Sequence, residues 1–213
     1  MSYLPLTTLE FPERHLVTDA GLVALAAMPN LRELRLGLVH SAATEMGRRY
    51  PLFSALGIQN LVVLSLTSLT LDFWTDLPEE IQGLCVLRSC ALSIVFWGNT
   101  LGDLWLLRDL PVTSLSILNN GFVTNEMLEV VMSFSGLIFI SLNNCNFIYS
   151  IVNLCNPSLT AMDLSATSID DYGLGGLCSL SRLTSLDLRD TGCTEEYTRE
   201  TLAVALPQCT LKL

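Results

Sequence analysis

Leu183–Cys193 reads LTSLDLRDTGC, and its spacing decides the fold of the whole chain. Leucines stand at positions 1, 4 and 6 of this stretch, a small polar residue at position 9 and an apolar residue at position 11. Positions 4 and 6 lie two apart, so on a strand they share one side, while 3, 5 and 7 point to the other. One side is core and the other faces outward. The same phasing returns at Leu6, Leu31, Leu61, Leu87, Val112, Leu137, Leu159 and, cut short, at Gln208, with steps of 22 to 30 residues. A period of about 25 residues marks a repeat protein.

A single repeat cannot bury its own leucines, so neighbours must stack. Parallel strands then line one wall and the intervening segments return the chain on the far side. At about 4.8 Å per strand, eight or nine strands span about 40 Å, enough to grip another protein. The pattern LxxLxLxxNxL resembles the leucine-rich repeat. Position 9 in that family usually carries Asn, Cys or Thr, whose side chain satisfies the turn after the strand. Here it is Asn120, Cys145, Thr167 and Thr191 in the later repeats, against Arg14, Val39, Leu69 and Val95 in the earlier ones. That mixture, with phrases such as VTDAGLVAL and IDDYGLGGL after the strand, is similar to the cysteine-containing, ribonuclease-inhibitor-like branch. The resemblance implies an α/β solenoid, curved and right-handed, with a concave parallel sheet and a convex side of helices and turns. It implies one domain over residues 1–213, about eight repeats plus a truncated ninth strand.

Half of the 213 residues are hydrophobic and 15% are charged, against about 25% charged in an average globular protein. A core running end to end accounts for that. The net charge is −10, from 21 acidic and 11 basic residues. Binding nucleic acid through a basic footprint is therefore not expected, and a basic protein partner is favoured. The start, MSYLPLTTLEF, lacks a basic segment followed by a long apolar one. Apolar runs such as Ile94–Trp97 fall far short of the roughly 20 residues of a membrane span. Asn156 heads the one Asn-x-Ser/Thr triplet, and Pro157 blocks it as a glycosylation acceptor. These three features predict a cytoplasmic or nuclear protein with no membrane partner.

Seven cysteines (Cys85, Cys90, Cys145, Cys155, Cys178, Cys193 and Cys209) are scattered without a C-x-x-C pair, so no zinc or redox motif is indicated. Cys90, Cys145 and Cys193 read as core thiols. A helix is predicted over Asp19–Ala27, opened by Thr18 or Asp19 as N-cap and stopped by Pro29. A second has a helical face between Thr124 and Phe134, and a third runs from about Thr194 to Ala205, followed by Pro207 and a final strand. Trp97 is expected inward, and Trp74 and Trp105 on the convex side. Arg48, Arg49 and Tyr50 form the compact basic spot, read as a helix end. Leucines at the core positions of the last strand leave an apparent edge through which the chain is expected to be able to self-associate.

Positions 3, 5 and 7 across the repeats give an outward ladder with charges at both ends and small hydroxyls between. Its partner-contacting residues are predicted to be Glu10, Glu33, Arg35, Phe139, Asn143, Asp163, Asp187, Arg189 and Asp190. Asp163 and Asp187 are adjacent along it and are expected to raise one another's pKa. A hydrolytic centre is not indicated: His15 and His40 are the two histidines, and no carboxylate is placed to orient either. GLGG at 173–176 lacks the Lys and Ser/Thr of a phosphate loop. The expectation is a non-catalytic, cofactor-free protein-binding module, an adaptor or substrate-recognition arm. The alternatives are a regulator similar to the leucine-rich-repeat activators of small GTPases, whose repeats are longer and end in an acidic tail, or a self-assembling structural solenoid.

Overall fold

A computed structural model describes residues 6–15, 18–38, 57, 59–73, 79–98, 103–152 and 155–213. These form one nine-stranded sheet in sequence order, every neighbouring pair parallel. The strands are β1 (Thr8–His15), β2 (Glu33–Leu38), β3 (Ser68–Phe73), β4 (Ala91–Trp97), β5 (Val112–Leu118), β6 (Phe139–Ser141), β7 (Ala161–Asp163), β8 (Ser185–Asp187) and β9 (Thr210–Lys212). The chain is an α/β leucine-rich-repeat solenoid, as the spacing predicts.

The return segments are helices α1 (Asp19–Ala26) and α2 (Asn125–Met132), 3₁₀ turns at Asn60–Val63, Glu79–Val86, Leu104–Leu107 and Gly173–Ser179, and a C-terminal helical run. Thr18 caps α1 by accepting from Gly21 N, as its side chain and the following acidic turn predict. The apolar face of α2 is buried through Leu128, Val131 and Met132. The last run opens at Thr194, which accepts from Tyr197 N, widens into π turns over Thr198–Leu202 and closes with Ala203–Ala205. Between sheet and returns lies one continuous apolar core, from Leu22 to Leu206. Each fully buried leucine in it contributes about 1.5–3 kcal/mol relative to exposure.

The register corrects two expected repeat starts. Leu69 pairs with Leu34 and Leu71 with Leu36, so the third repeat begins at Leu66 rather than Leu61. Leu61 instead sits in a 3₁₀ turn. The reason is that LVVLSLTSLTL contains two overlapping LxxLxL matches, and the second carries the strand. In the fourth repeat Leu92, Ile94 and Phe96 face the core, while Leu87 and Cys90 are buried just before the strand. Leu69 and Val95 are therefore strand residues, not turn residues. Trp97 falls by alternation on the outward side, beside Leu118, and is half-buried rather than core. Trp105 lies in the Leu104–Leu107 turn but is 54% exposed, with Arg108 stacked over its ring at 5.5 Å. Trp74, His40 and the basic spot Arg48, Arg49 and Tyr50 lie outside the described residues, as does the side chain of His15.

In the later repeats the turn after each strand is a repeated device. The eighth residue of each repeat (Asn119, Asn144, Ala166 and Asp190) has φ between 54° and 58°. Gly98 at φ 72° takes the same place after β4, where a residue without Cβ enters the left-handed region freely. The turn backbones stack: Gly98 N donates to Leu118 O, Asn119 N to Asn143 O, Asn144 N to Ser165 O and Ala166 N to Arg189 O, all at 2.9–3.0 Å.

Candidate functional site: the outward face of the sheet

The residue after that left-handed position anchors each turn. Asn120, fully buried, donates from Nδ2 to Gly98 O at 2.8 Å and accepts at Oδ1 from Phe122 N and Val123 N. Cys145 donates to Ile117 O at 3.3 Å, and burial pushes its thiol pKa up to about 11. Thr167 and Thr191 donate to Leu164 O and Leu188 O, each at 2.7 Å. Position 9 is thus engaged in the four later repeats: Asn120 and Cys145 tie their turns to the preceding repeat, and Thr167 and Thr191 close the turns of their own. Asn156, notable in the sequence only as a blocked acceptor, is a buried clamp: its Nδ2 donates to Met132 O and Phe134 O, closing the end of α2.

The outward face itself has four rows, the shortest being Thr8, Glu33, Ser68 and Ala91 on the first four strands. One runs Glu10, Arg35, Thr70, Ser93, Ser114, Phe139, Ala161, Ser185, Thr210. The next runs Gly37, Asp72, Val95, Ser116, Ser141, Asp163, Asp187, Lys212. Beyond it, toward the turns, lie Trp97 and Leu118, followed by Asn143, Ser165 and Arg189 in successive repeats. The outward residues of the third strand are Ser68, Thr70 and Asp72, in place of the expected Val63, Ser65 and Thr67.

The charges of this face are largely spent on one another. Arg35 donates from Nε to Asp72 Oδ2 at 2.7 Å and from its terminal nitrogen to Oδ1 at 3.1 Å, a two-point pair over a carboxylate with no exposed surface. Such planar two-point pairing fixes both groups. Asp187, nearly buried, accepts two hydrogen bonds from Arg189 at 2.8 and 2.9 Å, and Lys212 stands 3.6 Å away. The Arg189 hydrogen bonds hold the Asp187 carboxyl below its ordinary pKa despite its burial. This reverses the expectation that Asp163 raises it. Asp163 accepts from Ser141 Oγ at 2.8 Å and from both the backbone N and the hydroxyl of Ser165, and Asn143 donates to that hydroxyl.

Of the nine residues expected to meet a partner, Arg35, Asn143, Asp163, Asp187 and Arg189 are therefore engaged within the chain. Glu10 is exposed and neighbours Arg35. Glu33, also exposed, accepts from Thr8 at 3.3 Å. Asp190 is an exposed turn residue. Phe139 is half-buried in the middle of the face, flanked by Ser114 and Ala161. Sequence reasoning missed Asp72, the signal for which was the second LxxLxL match, and missed Val95 and Trp97 as outward residues, while Leu118 stands on the outward ladder where position 7 of its repeat predicts it. What remains between the two charged ends is a neutral tract of small hydroxyls around Val95, Trp97, Leu118 and Phe139.

Nine parallel strands at this repeat spacing leave one architecture. The fold is that of leucine-rich-repeat proteins. A Leptospira interrogans leucine-rich-repeat protein superposes with a TM-score of 0.58 at 19% identity, over 90% of this chain and 45% of its own. The internalin InlF from Listeria monocytogenes gives 0.57 at 18%, over 97% of this chain and 60% of its own. The Toll–Spatzle complex of Drosophila gives 0.56 at 16%, over 87% and 23%. A TLR13–ssRNA13 complex gives 0.55 at 16%, over 97% and 32%. This chain thus spans about half the length of the first two. No protein-family model matches the sequence, and no curated protein does. The neighbours establish the leucine-rich-repeat fold. Two of them are complexes, one with a protein and one with RNA.

Proposed function

We propose that this chain is a non-catalytic protein-binding module whose partner lies on the middle of the outward sheet face. The observation that carries the reading is the internal neutralisation of the face. Arg35 is tied to Asp72, Asp187 to Arg189 and Lys212, and Asp163 to Ser141 and Ser165. A partner that took those charges would have to compete with hydrogen bonds already made. The neutral tract asks for no such exchange: Trp97, Leu118 and Phe139 are half-exposed beside the buried Val95, apolar groups of the type that form an interface centre, with hydroxyls placed for hydrogen bonds at the rim.

In this reading Phe139 and Leu118 are the anchors, and the charged ends set register and exclude wrong partners. The net charge of −10 favours protein over nucleic acid. The role is that of an adaptor or substrate-recognition arm working in the cytoplasm or nucleus, and the Asn, Cys and Thr turn anchors favour the cysteine-containing branch of the family.

Affinity capture from native lysate tests this, comparing wild type with Ser114→Arg, Phe139→Ala and Asp190→Lys at about 50 and 500 mM salt, where exposed charges are weakly and strongly screened respectively. A discrete partner should be lost in the first two variants, kept in Asp190→Lys and retained in high salt. Capture that survives Ser114→Arg and Phe139→Ala but disappears with Asp190→Lys or with salt would move the site to the acidic end.

A further inference from the structure

A second surface lies at the turn side of the solenoid, away from the sheet face. In two successive repeats an apolar residue lies just after the turn anchor but faces outward, while the residue after it fills the core. Phe122 and Phe147 are exposed, and Val123 and Ile148 are fully buried. The chain thus holds its core register with the second residue and leaves an aromatic ring outside. Tyr149 is likewise exposed, and in the next repeat Tyr172 is 90% exposed. Singly exposed apolar residues are ordinary; four aromatic rings on corresponding loops of three adjacent repeats are not.

These loops are also held together. Phe147 and Tyr149 meet edge to face at 6.4 Å between centroids. Tyr149 N lies against Asn125 Oδ1 at 3.4 Å. Gly173 packs so closely on the Tyr149 carbonyl that any side chain there would collide with it, which seats Tyr172 beside the same loop. A shallow cleft of about 300 Å³ opens between Thr124, Asn125, Glu126, Phe147 and Tyr149.

The charge of the surroundings has one sign. Residues 119–129, 144–152 and 166–174 contain Glu126, Glu129, Asp170 and Asp171, and no lysine or arginine. In the following loop Asp190, Glu195 and Glu196 are joined by Arg199, which pairs with Glu195 at 2.9 Å. Glu126, in the first turn of α2, offsets the positive end of that helix. Elsewhere on the molecule an exposed ring, Trp105, is covered by the chain's own Arg108. The turn-side rings have no such residue in their loops.

From this pairing of exposed aromatic faces with carboxylates that no lysine or arginine of these loops meets, we infer that the turn-side strip binds an arginine-bearing extended peptide segment of a protein partner, its guanidinium groups stacked on Phe147, Tyr149 and Tyr172 and facing Glu126 and Asp170. Asp170 also accepts from Gly173 N at 2.9 Å through Oδ1. Arginine suits the site better than lysine because its planar, weakly hydrated cation both stacks on rings and pairs with carboxylates. Alternate residues of an extended peptide point to one side, so arginines two apart would all face the strip.

The test is fluorescence anisotropy of the full chain with fluorescein-labelled (Gly-Arg)5, (Gly-Lys)5 and (Gly-Ser)5. The first should bind, (Gly-Lys)5 several-fold more weakly and (Gly-Ser)5 not at all. The double variant Phe147→Ser, Tyr149→Ser should weaken (Gly-Arg)5 binding about tenfold, as the loss of two cation–ring contacts at an exposed site implies, with an unchanged melting curve because both side chains are exposed. Phe139→Ala, on the sheet face, should leave peptide binding intact, which separates this strip from the surface proposed above. Equal binding of the arginine and lysine peptides with no effect of the aromatic substitutions would reduce the strip to unspecific acidity and overturn the inference, as would an absence of (Gly-Arg)5 binding.

Discussion

The first five strands and the last four solve the same stacking problem differently. β1 to β5 run six to eight residues each and β6 to β9 three, and the near-identical left-handed turns follow β4 to β8. In the long-strand half, order comes from backbone pairing and from alternating side chains such as Leu92, Ile94 and Phe96. From the end of β5 onward it comes from side chains that bond to turn backbones: Asn120, Cys145, Thr167 and Thr191. The outward face shows the same division: its N-terminal end is held by one buried two-point ion pair, its C-terminal end by a network of carboxylates, hydroxyls and cations. A solenoid can therefore change its local means of support while the strand-to-strand stacking continues unbroken.

If the turn anchors carry the later half, Asn120→Ala should cause the largest loss of stability. It removes a buried donor bond and leaves two turn amides without the acceptor they use, a loss of about 3 kcal/mol. Chemical denaturation would read it, and a loss below about 1 kcal/mol would show that the ladder is incidental. Next in size is the ion pair of the earlier half. Arg35→Ala strands the buried Asp72 carboxylate and should cost about 2 kcal/mol, whereas the double change Arg35→Met, Asp72→Leu should be close to neutral. Equal losses in the single and double variants would mean that the pair does not act as a unit.

Ala166 offers a gain. It is the one residue without a polar side chain or a glycine's freedom among the left-handed turn positions of the described residues, and Ala166→Gly should stabilise by up to about 1 kcal/mol in a thermal melt. No gain would place the strain elsewhere. The smallest effect concerns acid. Asp187 titrates lower in the folded chain than its ordinary value of 3.8, so its contribution is fully present above that value and is lost as pH falls through the folded pKa. Arg189→Ala should flatten the loss of stability below about pH 4 only slightly, because solvent screens the exposed Arg189 guanidinium. An unaltered acid limb would remove Arg189 as the cause.

The same division sets how much could be read from sequence. In the later half the repeat start, core positions, helices and turn anchors all follow from spacing, because Asn, Cys or Thr after each strand marks the register independently of the leucines. In the earlier half those markers are replaced by apolar residues, and LVVLSLTSLTL satisfies the leucine pattern twice. The period alone then cannot choose, and the wrong choice moved Asp72 off the outward face and Trp97 into the core. Gly98 was the available signal, since it marks the left-handed turn that ends β4. The nine residues expected to meet a partner lie on the outward face or its turn, because alternation along each strand fixes the side they take. What sequence could not supply is which charges pair, because Arg35 and Asp72 stand 37 residues apart and Asp187 meets Lys212 from the last strand.

Whether the partner lies on the neutral middle of the sheet face can be decided by site-specific photo-crosslinking. The photoreactive phenylalanine analogue p-benzoylphenylalanine would be placed in turn at Phe139, Glu10 and Asp190 in the full chain, and native lysate illuminated at low and at high salt. A partner on the neutral tract should give one discrete crosslinked protein from position 139, undiminished by salt, and little from the other two. Crosslinking confined to position 10 or 190 and abolished by salt would contradict that placement.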